Sequence, residues 1–453
     1  MKWAALVLIL FTVVALTGWL RTNPRQAHLA WSLLTLLPFV LDPFHLIIAP
    51  YAIPMWAGYV KGWEVSLVDA VALGILLGMR GRWPKMALVL PFIAYLVAIT
   101  LAVIQARFPM YALAYPIQFL RVFLVFLAAA RVAQTQDGQK ALLTGLVAGI
   151  SIQAGYASWD RANGVFQTGG SLGHQNLLGF VSHMALMPAL GMVLARRAPI
   201  RALLGVCAGI IVVILTGSRA TILLAASMLT LTILLSTVIR FSGQKIALAI
   251  GGFVLLTASA PFAFSAIEKR MASQAAGLTE KDEQRVAFER AARLIVSENP
   301  MGIGPNHYVF VSITEGYADR AGVNWSAGNR AAHVHESYLL VAAETGYFGL
   351  FAMIALLASS LWYAFATAIR FRREPEADIL IGMGCGLLAI CLHALAEWMF
   401  AVYVVQYVFA ANLGLIVGLR SYLIRKSQID LKAKPSFGAT PTRVGQATAL
   451  EVA

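Results

Sequence analysis

The sequence predicts an all-α polytopic membrane protein with about 12 transmembrane helices and one long outward loop that itself contains helices. Three observations predict it. Of 453 residues, 59% are hydrophobic and only 12% are charged, against roughly 45–50% and about 25% in soluble domains. The apolar residues fall in long uninterrupted runs, and a membrane-spanning helix needs about 20 of them. The basic residues gather in alternate loops. This composition excludes a soluble globular enzyme, a disordered chain and a collagen-like chain.

Taken in order, the apolar runs lie near 3–20, 28–41, 43–60, 65–79, 86–104, 117–133, 141–158, 177–195, 202–217, 220–239, 246–265, 346–369, 379–396 and 400–419. The first run, MKWAALVLILFTVVALTGWL, has the look of a signal peptide. The spans that follow make it a retained signal anchor. The stretch 28–60 is interrupted at Asp42-Pro43, Pro50 and Pro54, so it reads as one kinked span, two spans or a re-entrant hairpin. Beyond Leu419 the chain turns polar, rich in Lys, Ser, Thr and Pro, and reads as a disordered tail. Four segments result: a transmembrane bundle over 1–265, a periplasmic loop over 266–336, C-terminal transmembrane helices over 337–420 and a cytoplasmic tail over 421–453.

The net charge of +14 is topogenic, and no nucleic-acid partner is expected. Sixteen basic residues sit in the loops around Arg80, Lys140, Arg197, Arg240, Arg372 and Arg425, against four (Lys61, Arg107, Arg161, Arg219) in the alternate short loops. The positive-inside rule makes the first set cytoplasmic. The three cysteines, Cys207, Cys385 and Cys391, lie in apolar runs, where cysteine acts as a small hydrophobe. They form neither a disulfide framework nor a metal site.

The loop 266–336 holds nine acidic and eight basic residues. Lys281 to Glu298 reads as an amphipathic helix with Phe288, Ala292 and Ile295 on one face. Pro300 and the glycines of NPMGIGPNHY end it.

Five polar groups, all on the outward side, are not explained by topology. Arg219, in TGSRAT, sits at the membrane boundary, as a snorkelling residue or a site residue. Arg121 lies about one turn inside a span, which suggests a site or a pair with a carboxylate on a neighbouring helix. Arg285, Arg290 and Arg293 line the loop helix, as solvated charges or ligand contacts. His333 and His335 stand where the loop re-enters the membrane, as interfacial residues or site groups. No Cys/Asp cluster supports metal binding by His-x-His. The turn WDRANGVFQTGGSLGHQNLLG carries Asp160, Arg161, His174, Gln175 and Asn176, and it either lines a polar cavity or only connects two spans. Several arginines at headgroup level suit a lipid-linked diphosphate, because the guanidinium fork matches phosphate oxygens.

On these residues the chain resembles the O-antigen ligase and polymerase superfamily of bacterial membrane glycosyltransferases. GSRA at 217–220 is similar to the family's Ser-Arg-Gly-Ala turn, with Arg219 at the arginine. RVAFERAARLIVSENPMGIGPNHY is similar to its arginine, helix and Pro-Leu-Gly-x-Gly pattern, with Arg285 at the arginine. HESYLLVAAETGYFG is similar to its His-Asn-x-Tyr-Leu segment, with His335 at the histidine and Glu344 and Gly346 at the trailing acid and glycine. SLGHQNLLG is a weaker fourth match. Glu289 stands where the family has an aromatic residue, and Glu336 where it has Asn.

The resemblance implies a GT-C-like inverting transferase of the bacterial inner membrane. It would move a glycan from undecaprenyl diphosphate to a hydroxyl on the periplasmic face, with no metal and no cofactor. Arg219 and Arg285 would stabilise charge on the departing diphosphate. His335 would deprotonate the acceptor or bind the diphosphate as imidazolium. Arg121, Arg161, His174, Asn176, Arg290, His333, Glu336 and Tyr338 are the expected substrate contacts. The expected partners are the undecaprenyl-diphosphate-linked glycan, a lipid A–core or glycan acceptor, and membrane lipids. An O-antigen ligase is the leading expectation. Next come a polymerase of O-antigen or exopolysaccharide, then a protein O-oligosaccharyltransferase. A transporter or flippase is the reading from a different class, but no internal repeat supports it.

Overall fold

The structure, a computed structural model, describes residues 2–81, 83–85, 87–252 and 278–433. Helices dominate: α1 (Lys2–Thr22), α2 (Ala27–Leu36), α3 (Leu67–Gly78), α4 (Val89–Leu101), α5 (Ala114–Val132), α6 (Gln136–Ala162), α7 (Gln175–Leu194), α8 (Pro199–Leu215), α9 (Arg219–Ile239), α10 (Leu278–Glu298), α11 (Tyr308–Thr314), α12 (Ser337–Arg370), α13 (Glu376–His393) and α14 (Tyr403–Ala433). Among the described residues eight helices are long and apolar enough to cross a membrane, and three shorter apolar helices accompany them. The protein is therefore an all-α multi-pass membrane protein. Of the run 246–265, only 246–252 lies within the described residues, and that part is helical.

Small residues let the helices approach closely, as membrane packing requires. A Cβ on Gly382 of α13 would lie 2.2 Å from the Met187 carbonyl of α7. One on Gly414 of α14 would lie 2.6 Å from the Phe126 carbonyl of α5. The α5–α14 and α7–α13 pairs form the centre, with α6 and α8 against α7 and α9 against α13. On the rim, α1 exposes Phe11 and Val14, and α9 exposes Leu223 and Leu234, the apolar surface that lipid would cover.

The two ends of the bundle differ in chemistry. At one end the predicted cytoplasmic basic residues tie helix termini together. Arg131 donates to the Met79 carbonyl (2.7 Å), Arg425 to the Gln134 carbonyl (2.8 Å) and Arg197 to Glu376 (2.8 Å). Asp378 accepts from both Lys245 and Arg240. At the opposite end lie α10, α11 and a two-stranded sheet.

That sheet corrects the reading of 43–60 as a span. Ile47–Ala52 (β1) pairs antiparallel with Gly62–Ser66 (β2), Ile47 opposite Ser66 and Ala52 opposite Gly62, with a bulge between Ile48 and Tyr51. Pro50 and Pro54 lack the N–H a helix needs, whereas Ile47, Ile48, Tyr51, Trp63 and Val65 are strand formers. Gly62 allows the close approach, since a Cβ there would lie 2.3 Å from the Tyr51 carbonyl. Ser66 then opens α3 through a capping box with Asp69.

The polar tail also departs from expectation, because α14 continues as helix through Ala433. Two of its basic residues are held by partners, Lys426 by Glu374 (2.6 Å) and Arg425 by Gln134. The tail beyond 433 lies outside the described residues.

Candidate functional site at the loop end of the bundle

The loop helix α10 docks as its periodicity predicts, with Phe288, Ala292 and Ile295 buried. The NPMGIG turn that follows fits into a break in α12. Gly346 has φ +66 and ψ −174, outside helical geometry. The turn supplies new partners there: Tyr347 N–H donates to the Pro300 carbonyl, Ile303 N–H to Ala343 and Gly304 N–H to Glu344. The Glu344 carboxylate accepts from Asn306 N–H (2.8 Å), Tyr308 N–H (3.0 Å) and the Tyr59 hydroxyl (2.6 Å). Glu344 thus pegs the loop to the bundle.

Asn306 pins the same loop to the connection between β1 and β2. Its side chain exchanges a donor–acceptor pair with the Val60 backbone, both at 2.9 Å. Its own carbonyl accepts from Trp56 Nε1. His307 is fixed as well. Its Nδ1 donates to the Pro305 carbonyl and its Nε2 accepts from Phe108 N–H. Burial lowers the pKa of this ring.

Against this frame the candidate side chains converge from four elements. Arg285, near the start of α10, donates to Glu397 (Nη2 to Oε1, 3.2 Å). Asn176, in the first turn of α7, donates to the same oxygen (2.5 Å). His174 caps α7 by accepting Asn176 N–H at Nδ1 (3.2 Å). His335 precedes α12 and stacks on Phe288, with ring centroids 5.9 Å apart. Ser337 stitches this corner to the 394–397 segment, donating through Oγ to the Glu397 carbonyl (2.7 Å) and through N–H to Ala394 (2.8 Å).

Electrostatics follow from burial. His335 is pushed down to about 4 by desolvation and by the Arg285 charge, so the ring is neutral at pH 7. The Glu397 carboxyl is pushed up to about 7 by burial, which the Arg285 guanidinium only partly offsets.

Arg219 opens α9 and is exposed. The preceding turn is built on the Gly-rich loop. Gln167 Nε2 donates to the Gly217 carbonyl (3.1 Å), Thr168 N–H to Leu215 (3.2 Å) and the Thr168 hydroxyl to Asp160 (2.6 Å). Near Arg219, α9 touches α7. A Cβ on Gly179 would lie 2.2 Å from Thr221 Oγ1, one turn along α7 from Asn176. The Gly-rich turn, the GSR turn and α7 therefore form one corner.

Other predicted contacts sit differently. Arg121 is buried, bound to Asp69 (Nε to Oδ2, 2.8 Å) and the Tyr407 hydroxyl (2.5 Å), with Glu64 at 3.7 Å. This is the carboxylate pairing named as its alternative, and it engages the Arg121 guanidinium inside the bundle. His333 is buried and stacked on Trp398 (4.3 Å), behind His335. Tyr338 donates to the Cys391 carbonyl (2.9 Å). Glu336 is half-buried ahead of α12, its carboxyl raised by desolvation and by Glu289. Exposed Arg290 donates to the Ala321 carbonyl (3.3 Å), and exposed Arg161 lies over Phe166.

Glu397 is the member that sequence reasoning missed. It stands in ALAEWMF between two apolar runs. The available signal was its being a lone acid at the end of an apolar run.

Fold and site together define a multi-pass membrane protein whose Arg, His and carboxyl groups gather at one end under a docked loop. Residues 202–354 match the family model described as O-antigen ligase, a stretch that holds Arg219, Arg285 and His335. The match supports the O-antigen ligase superfamily and a glycosyltransferase of the ligase or polymerase type. No curated protein matches the chain.

Proposed function

We propose that the protein transfers a glycan from undecaprenyl diphosphate to a hydroxyl acceptor at the periplasmic face of the bacterial inner membrane, as an O-antigen ligase acting on lipid A–core. The observation that carries this reading is the convergence of Arg285, neutral His335, His174 and Asn176 at the end of the bundle opposite the basic loops. Arg219 stands at the same corner.

In this mechanism the acceptor oxygen attacks the anomeric carbon from the face opposite the diphosphate. The bond from that carbon to the phosphate oxygen breaks, its electron pair stays on the diphosphate, and configuration inverts. Arg219 and Arg285 stabilise the charge that develops there, the role of preorganised donors in transferases. His335 takes the acceptor proton. Its neutral state in the free protein favours the base role over an imidazolium ligand. Diphosphate binding offsets the Arg285 charge and so raises the basicity of His335 when it is needed.

A deletion strain tests the reading. Loss of the long-chain lipopolysaccharide ladder, with polymer accumulating on undecaprenyl diphosphate, is the result expected of a ligase. Single repeat units on the carrier or the core would instead make the protein a polymerase.

A further inference from the structure

Glu397 is a carboxylate in direct contact with Arg285, a proposed diphosphate ligand, and its two oxygens are treated unequally. Oε1 accepts from both Asn176 and Arg285, while Oε2 is buried with no hydrogen-bond partner among the described residues. The two members of the ion pair differ in setting as well. The Glu397 side chain is 5% exposed and that of Arg285 is 47% exposed. Asn176 and the Ser337 contact to the Glu397 carbonyl fix the carboxylate in place, while the guanidinium reaches it from the open side.

A buried carboxylate with one bare oxygen keeps its charge only while a cation faces it, and without that cation it protonates. A diphosphate arriving at Arg285 competes for the same guanidinium with more charge and more oxygens. We propose that Glu397 is an ionic latch on Arg285: it holds the guanidinium in the donor-free protein, yields it to the donor's diphosphate, and takes one proton from solvent as it lets go. This rests on the transferase reading and adds to it a proton-coupled binding step. Glu397 is thereby a positioning residue, acting through Arg285.

The charged and titratable groups around it are Arg285 from α10, His174 at the start of α7, His335 ahead of α12 and His393 at the end of α13. Desolvation lowers His174 and brings His335 down to about 4, so His335 is already neutral above pH 7. A glycan-linked diphosphate is a diester and does not titrate there. The Glu397 carboxyl, raised to about 7 in the donor-free state, rises further once Arg285 leaves. Donor affinity is then level below about pH 7 and weakens up to about tenfold per pH unit above it, the slope of one proton taken up.

The test uses the full-length protein in nanodiscs and a short-chain lipid-diphosphosugar as probe. Binding is measured by calorimetry from pH 6 to 9 in two buffers of different ionisation enthalpy. The wild type is expected to take up about one proton at pH 8. Glu397→Gln, which keeps the Asn176 contact and carries no charge, is expected to take up none and to bind with a flat pH profile. Wild-type binding without proton uptake, or a Glu397→Gln profile that still falls above pH 7, overturns the latch. Should Glu397→Gln fail to fold, Glu397→Asp serves, with an expected uptake shifted along the pH axis; wild-type uptake unchanged in it also overturns the latch. Failure of the wild type to bind the probe at any pH counts against the transferase reading itself, and so is distinguishable.

Discussion

Gly302 and Gly346 meet backbone against backbone where the loop enters the broken helix. A Cβ on Gly302 would lie 2.6 Å from the Gly346 nitrogen, and one on Gly346 would lie 2.5 Å from the Pro300 carbonyl. Both residues have positive φ, +87 and +66, so an alanine would be strained as well as obstructed. We expect Gly346→Ala to lower stability by about 1–3 kcal/mol through the backbone conformation alone, with the contact adding to it. Limited proteolysis across 299–308 reads the outcome. Unchanged protection in Gly346→Ala would show that the turn does not depend on this contact.

Arg121 and Arg285 are both arginines facing carboxylates, yet opposite outcomes are expected. Arg121 faces Asp69 and Glu64 with its side chain 9% exposed. Removing it leaves the buried Asp69 and the half-buried Glu64 without their cation, a loss of about 3–5 kcal/mol for a broken buried pair. Arg121→Ala is therefore expected to reduce the yield of folded protein, while the folded fraction keeps near-normal transfer per molecule. Size-exclusion profiles and specific activity separate the two. A well-folded Arg121→Ala protein with no transfer would return Arg121 to the substrate contacts.

The contrast explains what was legible in the sequence. The helices were, because lipid demands long apolar runs, and α10 was, because Phe288, Ala292 and Ile295 repeat at helical spacing. The hairpin was not. Its residues are as apolar as a span, and the pairing of Ile47 with Ser66 is a relation across 19 positions that no local period reveals. Arg121 announced an ionisable group inside a span, but only the fold shows that Asp69 and Glu64 reach it. Glu397 was overlooked for the converse reason. One acid between two apolar runs looks like a connector until α7 and α10 bring Asn176 and Arg285 to it.

The Asn306–Val60 exchange is where loop and hairpin are joined, and it predicts a local effect. Asn306→Ala leaves the buried Val60 N–H and carbonyl without partners, at about 1–3 kcal/mol for each unsatisfied group. Hydrogen exchange is expected to accelerate over 53–61 and over 304–308, while the spans keep their protection. Acceleration confined to the loop, with the hairpin unaffected, would mean that the hairpin holds its shape without Asn306.

His335 and Arg285 give the prediction that bears most directly on the chemistry. A base must be unprotonated before it can act, and His335 is lowered to about 4 in the free protein. In the donor-free protein the imidazole is fully available at pH 7, and availability is lost only as pH falls through about 4; donor binding, which offsets the Arg285 charge, moves that acid limb upward. With the pKa depressed, the neutral form persists to lower pH, so transfer limited by this group holds level through neutrality and fails on the acid side. His335→Ala is expected to cost about 10²–10⁴-fold in kcat, the usual contribution of a positioned base. Arg285→Ala is expected to cost about 10²–10³-fold, the effect of removing one donor from a developing charge. The two losses should differ in kind. Exogenous imidazole, supplied in solution, is expected to restore part of the activity of His335→Ala and none of that of Arg285→Ala. A His335→Ala protein that transfers at the wild-type rate at pH 7 would remove His335 from the base role.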